Sequence, residues 1–174
     1  MGIVVDAISG SDIAQVVRDN IDGALDLSGK GVNDFFNALA AAVGTKKIEV
    51  LRIWGHGTTH YIDGGAFNKG NFKLAQERID IDTVDKFTPG LSILTPLLDT
   101  RSRVELRGCQ AALASGAQMM IRVANIWKTE VQGSDRSQPL LPWTPPVLSA
   151  WPGANSLVAA NIIEYNDARY KRKP

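Results

Sequence analysis

The sequence predicts one α/β domain built on a mainly parallel β-sheet with helices packed on both faces. From residue 32 to residue 134 the chain alternates between helix-like and strand-like segments, three of each. Such alternation is typical of parallel strands joined by crossover helices. The 174 residues, 44% of them hydrophobic, are enough for a single domain, residues 1–174, with a sizeable core.

The predicted helices are recognised by apolar residues that recur on one face. A short helix from Ile13 to about Ile21 follows Ser9-Gly10-Ser11-Asp12, which could cap it. The next helix has apolar residues at i, i+3, i+4, i+7 and i+11, and Gly44 ends it. Its apolar face consists of Val32, Phe35, Phe36, Leu39 and Val43. Two further helices are predicted over residues 91–98 and directly after Cys109.

The predicted strands are short apolar runs that end in glycine or polar residues. Residues 2–7 form a first strand rich in β-branched residues. Residues 48–54 and 103–107 alternate between apolar and other side chains, as core strands do, and residues 130–132 form a third strand of this series.

Two regions depart from this alternation. Asp63-Gly64-Gly65 is strong turn chemistry and predicts a small hairpin arm from Tyr61 to Phe67. Residues 138–153 hold five prolines and two tryptophans, which favours an ordered loop over the sheet edge. Residues 157–165 are apolar again, as a last strand or a short helix.

Charge and cysteine content exclude several classes of function. The 19 Lys and Arg residues nearly balance the 18 Asp and Glu residues, so the net charge is +1. The electrostatic field of a protein with so small a net charge argues against nucleic-acid and membrane partners. The basic run 169–173 is expected to be a solvated tail. Cys109 is the single cysteine, which forbids an internal disulfide and suits a reducing, cytoplasmic compartment.

Polar side chains follow three of the predicted strands directly. The strands end in Gly55-His56-Gly57, Gly108-Cys109-Gln110 and Gly133-Ser134-Asp135. Ligands of parallel sheets collect at the carboxyl ends of the strands, and glycine allows a close approach of the backbone. His56, Cys109 and Asp135 are therefore expected at one edge of the sheet.

A cysteine and a histidine at one edge can perform acyl transfer. A thiol attacks as the thiolate, and a nearby imidazole helps to generate that anion. The helix predicted to begin at Cys109 would favour the anion through its dipole. The backbone N–H groups of Gly57 and Cys109 could form an oxyanion hole.

The order of these motifs resembles a known family. A strand followed by His-Gly, and a strand followed by Gly-Cys and a helix of small residues, is similar to the caspase-like cysteine peptidases, a group with caspases, gingipains, clostripain, separase and CHAT domains. Bacterial CHAT-like domains are the most similar, and the resemblance covers about residues 46–136. It implies a caspase-like sheet, His56 as the base, Cys109 as the nucleophile, and a thiol protease that hydrolyses protein or peptide substrates without a cofactor.

The residues beside the dyad are expected to select the substrate. Arg107 shares a strand face with Cys109 and could accept an acidic side chain. Ser134 and Asp135 suggest the reverse, a preference for cleavage after a basic residue, which we favour here. Arg107 and Asp135 could also pair with each other. We expect no metal site, because the i, i+4 spacing of His56 and His60 would need a helix that the neighbouring glycines disfavour.

A second function class is consistent with the same motifs. The small size of the chain and its Pro- and Trp-rich end suit a catalytically silent caspase-like module that acts as a structural or interaction component of a larger assembly. Reactivity of Cys109 toward a peptidyl acyloxymethyl ketone separates the two hypotheses.

Overall fold

The computed structural model describes residues 2–61, 68–74, 77–139, 143 and 145–160, with the side chains of 58–61, 68 and 69 excepted. The strands in these ranges are β1 Ile3–Ile8, β2 Leu25–Asp26, β3 Ile48–Trp54, β4 His56–Tyr61, β5 Asn68–Leu74, β6 Glu77–Ile79, β7 Arg103–Arg107, β8 Glu130–Ser134, β9 Val147–Ala150 and β10 Val158–Ala159. The helices are α1 Ala14–Asn20, α2 Val32–Val43, α3 Thr88–Ser92 and α4 Gly116–Trp127, with a 3-10 turn over Thr95–Leu97.

The central sheet has seven strands in the order β10-β9-β8-β7-β3-β1-β2. Strands β2, β1, β3, β7 and β8 are parallel to one another, and β9 and β10 extend the sheet in the antiparallel sense. This is the mainly parallel α/β architecture that the alternating pattern predicts.

Helices cover both faces of this sheet. Along β3, Leu51 and Ile53 point into the main core, which also contains the buried side chains of α2, α3 and α4. Trp54 points to the opposite face, where it packs with Ile8 and with Val17 of α1. Successive side chains of a strand point to opposite faces, so α1 lies on one face and the other three helices lie on the other.

Helix α2 has the apolar face that the sequence predicts. Its five apolar residues are all buried, and Gly44 ends it at φ 66°, a left-handed conformation that glycine adopts readily. Phe36 packs edge-on against Trp127 of α4, with 5.8 Å between the ring centres. Burial of each such side chain stabilises the fold by about 1.5–3 kcal/mol.

Strands β4, β5 and β6 form a separate antiparallel sheet, which we call the arm. Strands β4 and β5 pair from His56 opposite Lys73 to Tyr61 opposite Asn68. The hairpin predicted from Tyr61 to Phe67 lies between them, and beyond Tyr61 it is outside the described residues, as is its predicted turn, Asp63-Gly64-Gly65.

The helix predicted over residues 91–98 and the loop predicted over residues 138–153 differ from the structure. The helix predicted over residues 91–98 is divided into α3 and the 3-10 turn, which contains Pro96, a residue that lacks an N–H donor. Residues 147–150, within the predicted edge loop, form strand β9 against β8. The predicted last element begins as strand β10, and residues 161–165 lie outside the described ranges. In the part of the chain described here, every helix is too short or too polar to cross a membrane.

The face of the sheet opposite the main core carries buried charged side chains. Glu105 of β7 accepts hydrogen bonds from Nε of Arg103 at 2.8 Å, of Arg107 at 2.8 Å and of Arg52 at 3.3 Å. On the neighbouring strand β1, Asp6 lies 3.7 Å from Arg52. Burial alone would raise the pKa of Glu105, but the three arginines hold it below its ordinary value.

Candidate active site

His56 and Cys109 lie at the same edge of the central sheet. Trp54 and Arg107 are opposite each other in the parallel pair β3–β7. Each is the last residue of its strand, and each is followed two residues later by a predicted dyad member. His56 and Cys109 both line one cavity of about 180 Å³ that opens at this edge.

Glycine allows the two strand ends to approach each other this closely. A Cβ atom at position 57 would overlap with the carbonyl oxygen of Cys109, and one at position 108 would lie 2.8 Å from the amide nitrogen of Gly57. The amide nitrogen of Gly57 therefore lies against the peptide that leads into Cys109. Its role as an oxyanion donor, together with the Cys109 N–H, stays a prediction.

The arm also packs against the loop that follows Cys109. The N–H of Gly70 in β5 donates to the carbonyl of Leu113 at 3.0 Å. A Cβ atom at position 70 would overlap with that carbonyl, and one at position 116 would overlap with the carbonyl of Ala111. Small residues are therefore required on both sides of this contact.

His56 is held by the carboxylate of Asp12, a residue for which the sequence predicts only a place in a helix cap. Nε2 of His56 lies 2.9 Å from both carboxylate oxygens of Asp12. The hydrogen bond from His56 holds the pKa of Asp12 below its ordinary value. An ionised carboxylate only accepts hydrogen bonds, so Nε2 carries the proton and Nδ1 of a neutral His56 is left as the basic nitrogen.

The position of Asp12 in the sequence indicates that it lies near His56. Strand β1 pairs in parallel with β3, so the segment after β1 emerges at the same edge as His56. Asp12 belongs to that segment. A Cβ atom at Gly10 would lie 3.2 Å from the Asp12 carboxylate and 3.4 Å from Cδ2 of His56, so a small residue at position 10 leaves room for the pair.

The helix expected to begin at Cys109 does not begin there, which corrects one part of the predicted site. Helix α4 begins at Gly116, and the intervening residues form a loop in which Gln110 and Ala114 have φ values of 55° and 50°. The field of a helix dipole falls off within its first turn. The dipole of α4 therefore does not act on the thiol as predicted.

The thiol of Cys109 contacts the backbone of the loop after β8. The backbone nitrogen of Gln138 lies 3.2 Å from Sγ, to which its N–H donates, and Sγ lies 3.5 Å from the carbonyl oxygen of the same residue. Gln138 and Pro139 line the cavity together with the dyad. The nucleophile predicted from the sequence is thus covered on one side by a backbone segment.

Arg107 lines the cavity but is held within the protein. Its guanidinium bonds Glu105 and lies over the rings of Trp143 at 4.3 Å and of Trp54 at 5.3 Å. The side chain is only 2% exposed. Arg107 therefore forms part of the cavity wall as a buried, stacked cation.

Ser134 and Asp135 are not among the described residues that line the cavity. Ser134 is fully buried. Its hydroxyl donates to the carbonyl of Pro146 at 3.1 Å and accepts from the N–H of Arg136 and from Nε2 of Gln138. Asp135 lies 3.8 Å from Arg136. In this arrangement Ser134 fixes the loop after β8 and does not face the cavity.

Comparison with known proteins assigns no family and no function to this site, because the chain matches no protein-family model, no curated protein and no solved structure. The resemblance to caspase-like peptidases therefore stays a prediction. Within the described residues, no group of three or more His, Cys, Asp or Glu side chains could hold a metal ion. His56 and His60 lie on strand β4, not on the helix that a zinc motif of that spacing needs.

Proposed function

We propose that this chain is a cysteine endopeptidase in which His56 and Cys109 form the catalytic dyad. The observation that carries the proposal is that Asp12 orients His56 at the wall of a cavity that Cys109 also lines. A base fixed by a third group beside a nucleophile is the arrangement that activates Ser and Cys nucleophiles in general. Asp12 is then a positioning residue, which acts through His56.

The proposed reaction has two steps. In the first, Cys109 transfers its thiol proton to His56, sulfur bonds to the scissile carbonyl carbon, and the amine leaves with the proton from His56. In the second, His56 takes a proton from water, the hydroxide adds to the thioester, and the acid product leaves as the thiol is restored. The N–H groups of Gly57 and Cys109 are proposed to stabilise the oxyanion of each intermediate.

The cavity lining supports a different side-chain preference from the basic one expected from the sequence. Among the described lining residues, Arg107 is the permanently charged one, and none is a carboxylate. A cation repels Lys and Arg side chains and attracts Asp and Glu. We therefore propose that acidic or uncharged side chains are accepted before the scissile bond in preference to basic ones.

Peptide hydrolysis tests the proposal. A fluorogenic panel with Asp, Glu, Ala, Lys or Arg before the scissile bond is incubated with the wild type and with Cys109→Ala, His56→Ala and His60→Ala. We expect hydrolysis by the wild type and by His60→Ala, the matched histidine control, and none by the other two. Hydrolysis that persists in Cys109→Ala refutes the dyad, and hydrolysis only after Lys or Arg refutes the side-chain preference.

A silent caspase-like module is the second candidate, and one observation favours it. The backbone of Gln138 contacts Sγ, so the thiol is not open on that side. In a silent module the whole panel remains uncleaved, and Cys109→Ala leaves the binding of partners unchanged.

A further inference from the structure

We infer that residues 135–139, which we call the strap, form an autoinhibitory segment that closes the nucleophile until it is displaced. This inference rests on the proposed role of Cys109. The strap engages the sulfur with both backbone groups of Gln138, the N–H at 3.2 Å and the carbonyl at 3.5 Å. A backbone N–H and C=O beside the nucleophile occupy space that an extended peptide substrate needs.

The strap is anchored at its start by backbone hydrogen bonds to the loop after Cys109. The N–H of Gln110 donates to the carbonyl of Arg136 at 2.9 Å, and the N–H of Ala112 donates to the carbonyl of Ser134 at 2.9 Å. The buried Ser134 hydroxyl accepts from Arg136 and from the side chain of Gln138. These bonds hold the strap in position over the thiol.

The strap itself is held mainly by polar contacts. Arg136, Ser137 and Pro139 are exposed, and Asp135 and Gln138 are partly buried. Segments with few buried apolar contacts open locally at low free-energy cost. Displacement of the strap therefore leaves the buried core, including β8, in place. Binding of a peptide or of a partner protein could shift the strap to its open position, since a ligand shifts such an equilibrium by its differential affinity.

Alkylation of Cys109 by iodoacetamide measures the opening of the strap without any need for peptidase activity. Rates are measured at one alkaline pH for every variant and divided by the rate of the same variant unfolded in urea, so that the ratio reports access to sulfur. Gln138→Pro removes the N–H that points at Sγ. Gln138→Ala keeps that N–H and is the matched control.

We expect the folded wild type to react at least about tenfold more slowly than the urea-unfolded chain. Both substitutions remove the bond from Nε2 of Gln138 to the Ser134 hydroxyl, and only Gln138→Pro also removes the N–H on sulfur. Gln138→Pro should therefore react about five- to tenfold faster than Gln138→Ala, the effect of one lost hydrogen bond on an opening equilibrium, and Gln138→Ala should lie between Gln138→Pro and the wild type. Equal rates for Gln138→Pro and Gln138→Ala would overturn the inference, as would a wild type that reacts as fast as the unfolded chain.

A second variant covers the case in which Gln138→Pro does not fold, which its thermal unfolding curve would reveal. Ser134→Ala removes the hydroxyl that anchors Arg136 and Gln138, and we expect it to raise the alkylation rate as well. An unchanged rate in a folded Ser134→Ala protein overturns the strap. Faster alkylation without hydrolysis of any peptide supports the strap and refutes the peptidase, so the two proposals fail in different ways.

Discussion

The buried charges on the second face of the sheet give a prediction that can be worked through from the structure. Glu105→Gln keeps the shape of the side chain but removes its negative charge. Glu105 is 2% exposed, and its carboxylate accepts hydrogen bonds from Arg52, Arg103 and Arg107. The substitution leaves these guanidinium groups, two of them almost fully buried, without the carboxylate between them.

The expected effect is large because the remaining charges cannot regain water. Removal of one partner from a buried ion pair costs about 3–5 kcal/mol. A domain of this length has a free energy of unfolding of about 5–15 kcal/mol, so the loss is about a fifth of it or more. At about 2–4 °C per kcal/mol, the midpoint of thermal unfolding should fall by about 6–20 °C.

The assay is urea unfolding at neutral pH, followed by circular dichroism, with Arg122→Gln as the control. Arg122 and Asp85 form an ion pair at 2.6 Å, but their side chains are 54% and 66% exposed. Exposed pairs contribute about 0–1 kcal/mol, so the control should unfold close to the wild type. If Glu105→Gln loses no more stability than Arg122→Gln, the carboxylate is not what stabilises these arginines.

The same substitution has a pH signature. The pKa of Glu105 is lowered in the folded state, so below its ordinary value of 4.5 the unfolded chain binds the proton more readily than the folded chain does. The contribution of Glu105 is therefore fully present above that pH and is lost as the pH falls through the folded pKa. The difference in stability between the wild type and Glu105→Gln should shrink in acid and be constant from about pH 6 to 8.

Two further predictions concern the site. Gly57→Ala should destabilise the protein by more than about 3 kcal/mol in urea unfolding, because its Cβ overlaps with the carbonyl of Cys109. The control Gly29→Ala, at φ 79° with open space around it, should cost only about 1–2 kcal/mol. Equal losses of stability in the two variants would contradict the close approach of the two strand ends. Asp12→Asn should lower kcat/KM for peptide hydrolysis by up to about 10²-fold, with thermal unfolding unchanged, because His56 loses its carboxylate partner. Activity equal to that of the wild type would show that Asp12 does not position the base.

The parallel core of the fold could be predicted because its signals are local. The alternation along residues 48–54 and 103–107 and the apolar spacing of α2 fix element type and buried face without reference to distant residues. The same elements place His56 and Cys109 at one edge, since both follow the last residue of their strands by two positions.

The beginning of α4 could not be predicted because tertiary contacts override local propensity. Residues 109–115 are mostly small and suit a helix. They form a loop because the N–H groups of Gln110 and Ala112 bond the segment 134–136, and the carbonyl of Leu113 bonds the arm. Each of these partners is distant in sequence, so no local pattern indicates them.

The roles of the polar residues depend on burial, which the sequence does not reveal directly. Glu105 and Arg52 occupy strand positions that would suit a solvated face, yet the structure buries both. Ser134 follows the same strand-end pattern as His56 and Cys109, but its hydroxyl is used by the strap. In the sequence Asp12 resembles a helix cap, because its partner, His56, is 44 positions away.

Covalent labelling with a peptidyl acyloxymethyl ketone is the most direct test of the His56–Cys109 dyad. Such a probe has a weak leaving group and depends on an activated nucleophile, whereas iodoacetamide reports access alone. We expect one probe per chain, attached to Cys109, in the wild type and in the strap-opening variant Gln138→Pro. We expect no labelling of His56→Ala, although iodoacetamide still reacts with that variant. Equal labelling of the wild type and His56→Ala would contradict the dyad, as would an unlabelled Gln138→Pro protein that iodoacetamide modifies readily.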